Sequence, residues 1–172
     1  APNSNTDRTL TLPDEAGTIA TVNGITSFTL FRVTSDLSTN TDPITNWEKP
    51  TGQQFGDEAT VSSGVITFPS TGFYLVRMIA LTQAIPDDQL GIAIFKSTDG
   101  GSNFSRVSQN FASGDGSAIA AATAVTDGII DVTSVSNVKI KIVLDSVASG
   151  SKIEGTTSEN RSYLTIMRIG DT

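Results

Sequence analysis

The residues that could do chemistry in this 172-residue chain are defined first by two absences: it contains neither His nor Cys. Without His it lacks the commonest general base and the usual catalytic zinc ligand. Without Cys it has no thiolate nucleophile, no thiolate metal site and no disulfide. What remains is carboxylates, hydroxyls and a few cations. Carboxylates are neighbours at Asp14/Glu15, Asp57/Glu58 and Asp87/Asp88, and a carboxylate pair is the minimum equipment for glycoside hydrolysis. Adjacent residues on a strand, however, point to opposite faces, and such pairs in loops are mostly solvated charge. A serine nucleophile would have to be activated by Lys in place of His, which is a weak option here. The reading is therefore of a chain that is not an enzyme.

Three further constellations bear on function. Ser97-Thr98-Asp99-Gly100-Gly101-Ser102-Asn103-Phe104 is close to the Asp-box of sialidase-type propellers, with Asn103 and Phe104 in place of Thr and Trp. It occurs once, and Asp-Gly-Gly between apolar segments is by itself a good turn, so a structural hairpin is expected. Ser113-Gly114-Asp115-Gly116-Ser117 follows no strong strand and precedes no Lys, which makes it a flexible loop, not a phosphate cradle. Arg77 stands alone in an apolar segment, where a charge must find a partner or water. We expect it at a contact between copies of the chain, with Tyr74 and Tyr163 as further contact candidates. Trp47, among Asn46, Glu48 and Lys49, is expected to cap a sheet edge. The loops offer Asp87, Asp88, Gly101, Asn103 and Asp115 as a candidate binding surface. Asp87 and Asp88 do not make a complete calcium cage, so no cofactor is expected.

The elements that must position these residues read as strands. Short segments rich in Val, Ile, Thr and Phe alternate with clusters of Gly, Ser, Asn and Asp, the pattern of an antiparallel sandwich. In residues 138–144, Val138, Ile140, Ile142 and Leu144 share one face while Lys139 and Lys141 project from the other, which gives a strand with one wet face. Residues 72–81 are apolar on both sides apart from Arg77, and both faces want cover, as in a central strand or one at a subunit contact. Further strands are expected over 27–34, 64–68, 90–97, 128–132 and 162–169, with the Ala-rich 118–125 also taken as a strand. The total is about eight, matching an all-β, two-sheet jelly roll.

Eleven Lys plus Arg against eighteen Asp plus Glu give a net charge of −7. That leaves no basic stripe for nucleic acid, and no apolar run is long enough for a membrane-spanning helix. Residues 1–26 are expected to form a stem or linker. Residues 9–12 and 18–22 read as small strands around a Pro13–Gly17 turn, too poor in apolar residues for a core of their own. Residues 27–172 are expected to form the head domain.

From Trp47 onward the landmarks resemble the jelly-roll superfamily of the complement-q globular heads and tumour necrosis factor. Val65-Ile66-Thr67-Phe68-Pro69-Ser70-Thr71-Gly72-Phe73-Tyr74 is similar to that family's strand, Pro-x-x-Gly turn and Gly-x-Tyr opening of the central strand. Residues 126–132 and 137–142 resemble its penultimate strands, and 162–169 its last. The likeness covers 27–170. Residues 8–22 resemble short units of bacteriophage tail-fibre and other virion appendage proteins. Together the resemblances imply a homotrimeric knob on a virion appendage that binds a host-surface glycan or protein, or another virion protein, through loops. The alternatives are an extracellular complement-q-like module of a cell and a glycan depolymerase on a jelly-roll scaffold.

Overall fold

The computed structural model describes residues 25–86, 88–114 and 120–172, so residues 1–24 of the expected 1–26 stem lie outside them. No described residue is helical. The strands are β1 (Phe28–Val33), β2 (Trp47–Glu48), β3 (Thr60–Ser62), β4 (Val65–Thr67), β5 (Gly72–Ala84), β6 (Gln89–Ser97), β7 (Ser105–Ser113), β8 (Ala120–Val132), β9 (Lys139–Asp145), β10 (Lys152–Ile153) and β11 (Tyr163–Gly170).

Two antiparallel sheets face each other. In the first, β5 is central: β8 runs along its whole length on one edge, and β11 followed by β10 occupies the other. β1 and then β2 complete that side. The second sheet has the order β3-β4-β9-β6-β7. The chain crosses between the sheets from β5 to β6, from β7 to β8, from β8 to β9 and from β9 to β10, while β6 and β7 form a hairpin within the second sheet, so the sandwich is a jelly roll.

The alternation decides which side chains meet between the sheets. Tyr74, Val76, Met78 and Ala80 of β5 and Ile140, Ile142 and Leu144 of β9 are almost fully buried there. Phe68 and Tyr74 pack with ring centroids 4.8 Å apart, and the Tyr74 hydroxyl lies 2.9 Å from Ser70 Oγ, so its polar tip is satisfied inside the turn. That turn ends at Gly72, whose φ of 142° and close approach to the Gly170 carbonyl leave no room for a side chain.

Two expectations about elements need revision. Residues 128–132 and the Ala-rich segment are not separate strands: β8 is continuous over 13 residues, paired throughout with β5. β7 went unrecognised in the sequence. Ser-Arg-Val-Ser-Gln-Asn-Phe-Ala-Ser has a single fully buried apolar residue, Ala112, because β7 is the last strand of its sheet and its pairing with β6, not its own hydrophobicity, makes it a strand.

Candidate functional site

The outer face of the first sheet carries a cluster of exposed apolar side chains. On β5, Phe73, Leu75, Ile79 and Leu81 point away from the core and are only partly covered. Beside them β8 presents Val125 and Ile129, the latter 63% exposed, and β11 adds Ile169. Arg77 lies in the middle of this face. It is not stranded: directly across the ladder stands Asp127, and the guanidinium donates to Asp127 Oδ2 at 2.8 and 3.2 Å. Both side chains remain nearly half exposed. The two extra apolar faces of the strand segment 72–81 are thus explained differently. One is core, and the other is an open surface with one cross-strand ion pair set into it.

Of the residues expected at a contact between copies, Arg77 and Tyr163 are on this face, Tyr163 lying opposite Ile79. Tyr74 is not. It is fully buried between the sheets, because even-numbered residues of β5 point inward, so no neighbouring molecule can reach it.

The candidate loop residues do not form one surface. Asp88 sits between β5 and β6, where its backbone carbonyl accepts from the Gly114 N–H at 2.9 Å and its carboxylate from the Ala148 N–H at 3.3 Å. It borders an open polar depression of about 550 Å³ with Asn40, Gln89, Ser113, Ser146 and Val147. Gly101 and Asn103 lie in the β6–β7 hairpin at the opposite end of the sandwich, a strand length of nine residues away, roughly 30 Å. Asp87, Asp115 and most of the Gly-rich loop lie outside the described residues.

The hairpin itself is a closed local structure. Asp99 Oδ1 accepts from the N–H groups of Ser102 and Asn103 and from the Ser97 hydroxyl, and Oδ2 accepts from Asn103 Nδ2. These bonds, the one from the Asn103 N–H foremost, hold its carboxyl well below the ordinary carboxylate range. Both of its oxygens are engaged within the turn, as expected of the structural reading of the Asp-box-like motif.

Sequence reading missed a charged cluster at the other end of the first sheet. Glu154, nearly buried, accepts from Gln83 and from Arg161 at 2.6 Å, and Arg161 also donates to Glu159. Nearby Lys152 donates to Asp36, which lowers the Asp36 carboxyl and raises the Lys152 ammonium from their ordinary values. The cluster ties the 146–162 connection to β5 and to the segment after β1. Two Ser-x-x-Lys spacings also occur, Ser136/Lys139 and Ser149/Lys152. Neither makes a nucleophile pair: Lys139 donates to Thr67 Oγ1 and the Val135 carbonyl, and Lys152 to Asp36.

Trp47 closes one open side of the sandwich, its indole N–H bonded to the Ile44 carbonyl at 2.7 Å. With Phe31, Lys49 and Val61 it lines a cleft of about 320 Å³. Among the described residues, no three Asp or Glu side chains converge to hold a metal ion.

No family model and no curated protein matches this sequence. Solved structures do match it by shape. Murine APRIL at pH 5.0 superposes with a TM-score of 0.63 at 12% identity, over 83% of this chain and 98% of that one. Murine APRIL at pH 8.5 gives 0.59 at 11% identity with the same coverage. The Eiger TNF of S. frugiperda gives 0.62 at 12% identity, over 84% of this chain and 93% of that one. At such identity the likeness is one of architecture, and with the β2-β1-β11-β5-β8 and β3-β4-β9-β6-β7 sheets it shows that this chain is folded as a tumour-necrosis-factor-like jelly roll.

Proposed function

We propose that the chain is a non-enzymatic recognition module that works as a homotrimer, with the outer face of its first sheet buried between copies. The observation that carries this is the open apolar face of β5, β8 and β11, which presents Phe73, Leu75, Val125, Ile129 and Ile169 to solvent. Contiguous exposure of that kind marks an interaction surface. Closed symmetry is the usual outcome when one patch is repeated on identical copies, and the likeness to tumour-necrosis-factor-like folds favours three. Three copies on one rigid body would turn weak recognition into avidity. The placement of this trimer on a virion appendage, probing a host surface, rests on residues 8–22 alone.

Size-exclusion chromatography with light scattering tests the reading. Three times the chain mass is expected for the wild type and a single chain mass for Ile129→Arg, with an unchanged β-type circular dichroism spectrum. A wild-type monomer at every concentration up to about 100 μM, a weak protein–protein affinity, would overturn it.

A further inference from the structure

The outer face of the second sheet has a different character from that of the first. It is not apolar enough to be a buried copy interface, and its polar groups are arranged around aromatic rings. On β9, Lys139, Lys141 and Asp145 alternate with inward Ile140, Ile142 and Leu144. On β6 the outward positions are Gly91, Ala93 and Phe95, opposite Phe111, Gln109 and Arg106 of β7. Four features follow one another along this stripe.

At one end the Phe111 ring, 41% exposed, lies over Gly91. A side chain at Gly91 would collide with the Asp145 carboxylate and meet Phe111 at 2.8 Å, so the missing side chain lets ring and carboxylate settle onto the sheet. Next, Gln109 Nε2 donates to both Asp145 oxygens, at 3.1 and 2.9 Å, fixing an amide and a carboxylate side by side. Then comes Arg106, half exposed, with its guanidinium carbon 5.3 Å from the centroid of Phe95 and its nearest carboxylate oxygen, on Asp145, only at 3.9 Å. Last, Lys141 sits 5.5 Å from the Phe95 centroid and 4.9 Å from that of Phe104, anchored by Asp42. From Phe111 to Arg106 the stripe runs four β6 positions, about 13 Å.

We infer that this stripe is a binding platform for an acidic oligosaccharide. A sugar ring has an apolar face for Phe111 and hydroxyls for the Gln109–Asp145 pair. A carboxylated sugar further along would meet Arg106, whose planar fork suits a carboxylate and whose donors are largely unspent. Charge complementarity selects the ligand: Lys141 is paired with Asp42 and Lys139 is bonded to Thr67 and the Val135 carbonyl, whereas Arg106 has no carboxylate oxygen nearer than 3.9 Å and is the cation of this face left to answer an anionic group. A protein partner would need roughly 800 Å² with an apolar centre, whereas Phe111 is the one strongly exposed apolar side chain among the described residues of the stripe. The inference rests on the chain being a recognition module and not on its being a trimer.

The test is two-dimensional ¹H–¹⁵N NMR titration of the full chain with three probes: an oligogalacturonate tetramer, 3′-sialyllactose and neutral cellotetraose. Saturable shifts are expected on β6, β7 and β9 with an acidic probe, weakening as salt is added. Phe111→Ala and Arg106→Ala should each lower the affinity about tenfold or more. Phe111→Trp and Arg106→Lys should recover part of it, which a folding defect would not allow. Ile129→Arg should leave the affinity per site unchanged even if it dissociates the trimer, so failure of the platform and failure of the trimer are read separately. Shifts confined to another surface, binding of cellotetraose alone, or no saturable binding of any probe would overturn the inference.

Discussion

Asp99 shows how a single carboxylate can be committed to structure. Four hydrogen bonds converge on it within the seven residues from Ser97 to Asn103, and they stabilise its charged form. Because the folded state lowers its pKa, the unfolded chain takes up a proton first as the solution is acidified. The stabilisation from Asp99 is therefore complete above the unfolded value, near 3.8, and is lost as pH falls through the lowered one. Asp99→Asn should accordingly flatten the acid side of the stability profile, measured as melting temperature against pH between about 5 and 2; an unchanged slope would show that the hairpin does not depend on this charge. Gly91 is the complementary case, a residue that acts by lacking a side chain. Gly91→Val should push Asp145 away from Gln109 and tilt Phe111 off the sheet, with a loss of roughly 1–3 kcal/mol in chemical denaturation, the usual range for overpacking. Ala93→Gly, one outward position along the same strand, should cost less, about 0.5–1 kcal/mol, from strand entropy.

β5 and β8 form the longest ladder of the molecule, thirteen residue pairs in continuous register. Register is what places Arg77 opposite Asp127, and it is also what sends Tyr74 inward and Phe73 outward. An exposed pair of this kind contributes about 0.2–1 kcal/mol. Arg77→Glu should therefore lower stability by no more than about 1 kcal/mol through like-charge opposition across the ladder, and the exchange Arg77→Asp with Asp127→Arg should restore it in urea unfolding. If the exchanged variant regains stability but not its oligomeric state, the pair contacts a neighbouring copy in its native orientation; recovery of both would confine its role to the ladder. The β7 edge behaves differently. Its few apolar residues are either turned to the sheet or, like Val107, set against Gly128 of β8, so that side chains close this side of the sandwich where no backbone ladder crosses.

On the reading proposed above, the two outer faces would divide the molecule's tasks, the first sheet offering apolar area to copies of the chain and the second offering rings and charges to a ligand. If copies associate through the first face, the melting temperature should rise with protein concentration, since dissociation is coupled to unfolding. Ile129→Arg should abolish that dependence in calorimetry at several concentrations. The sequence by itself determined the class of fold, because period-two alternation in residues 138–144 and 72–81 and the turn-forming clusters between them admit only strands with one or two covered faces. It also determined that His- and Cys-dependent chemistry is absent, a matter of composition alone. Tertiary structure decided the rest. Arg77 finds Asp127 across fifty residues of chain, Asp88 and Asn103 end at opposite poles, and the polar β7 becomes a strand only because β6 offers it an edge. Alternation is a local signal carried by neighbouring residues, whereas a cross-strand partner, a shared pole or an edge pairing depends on which distant segments the closed hydrogen-bond ladders bring side by side.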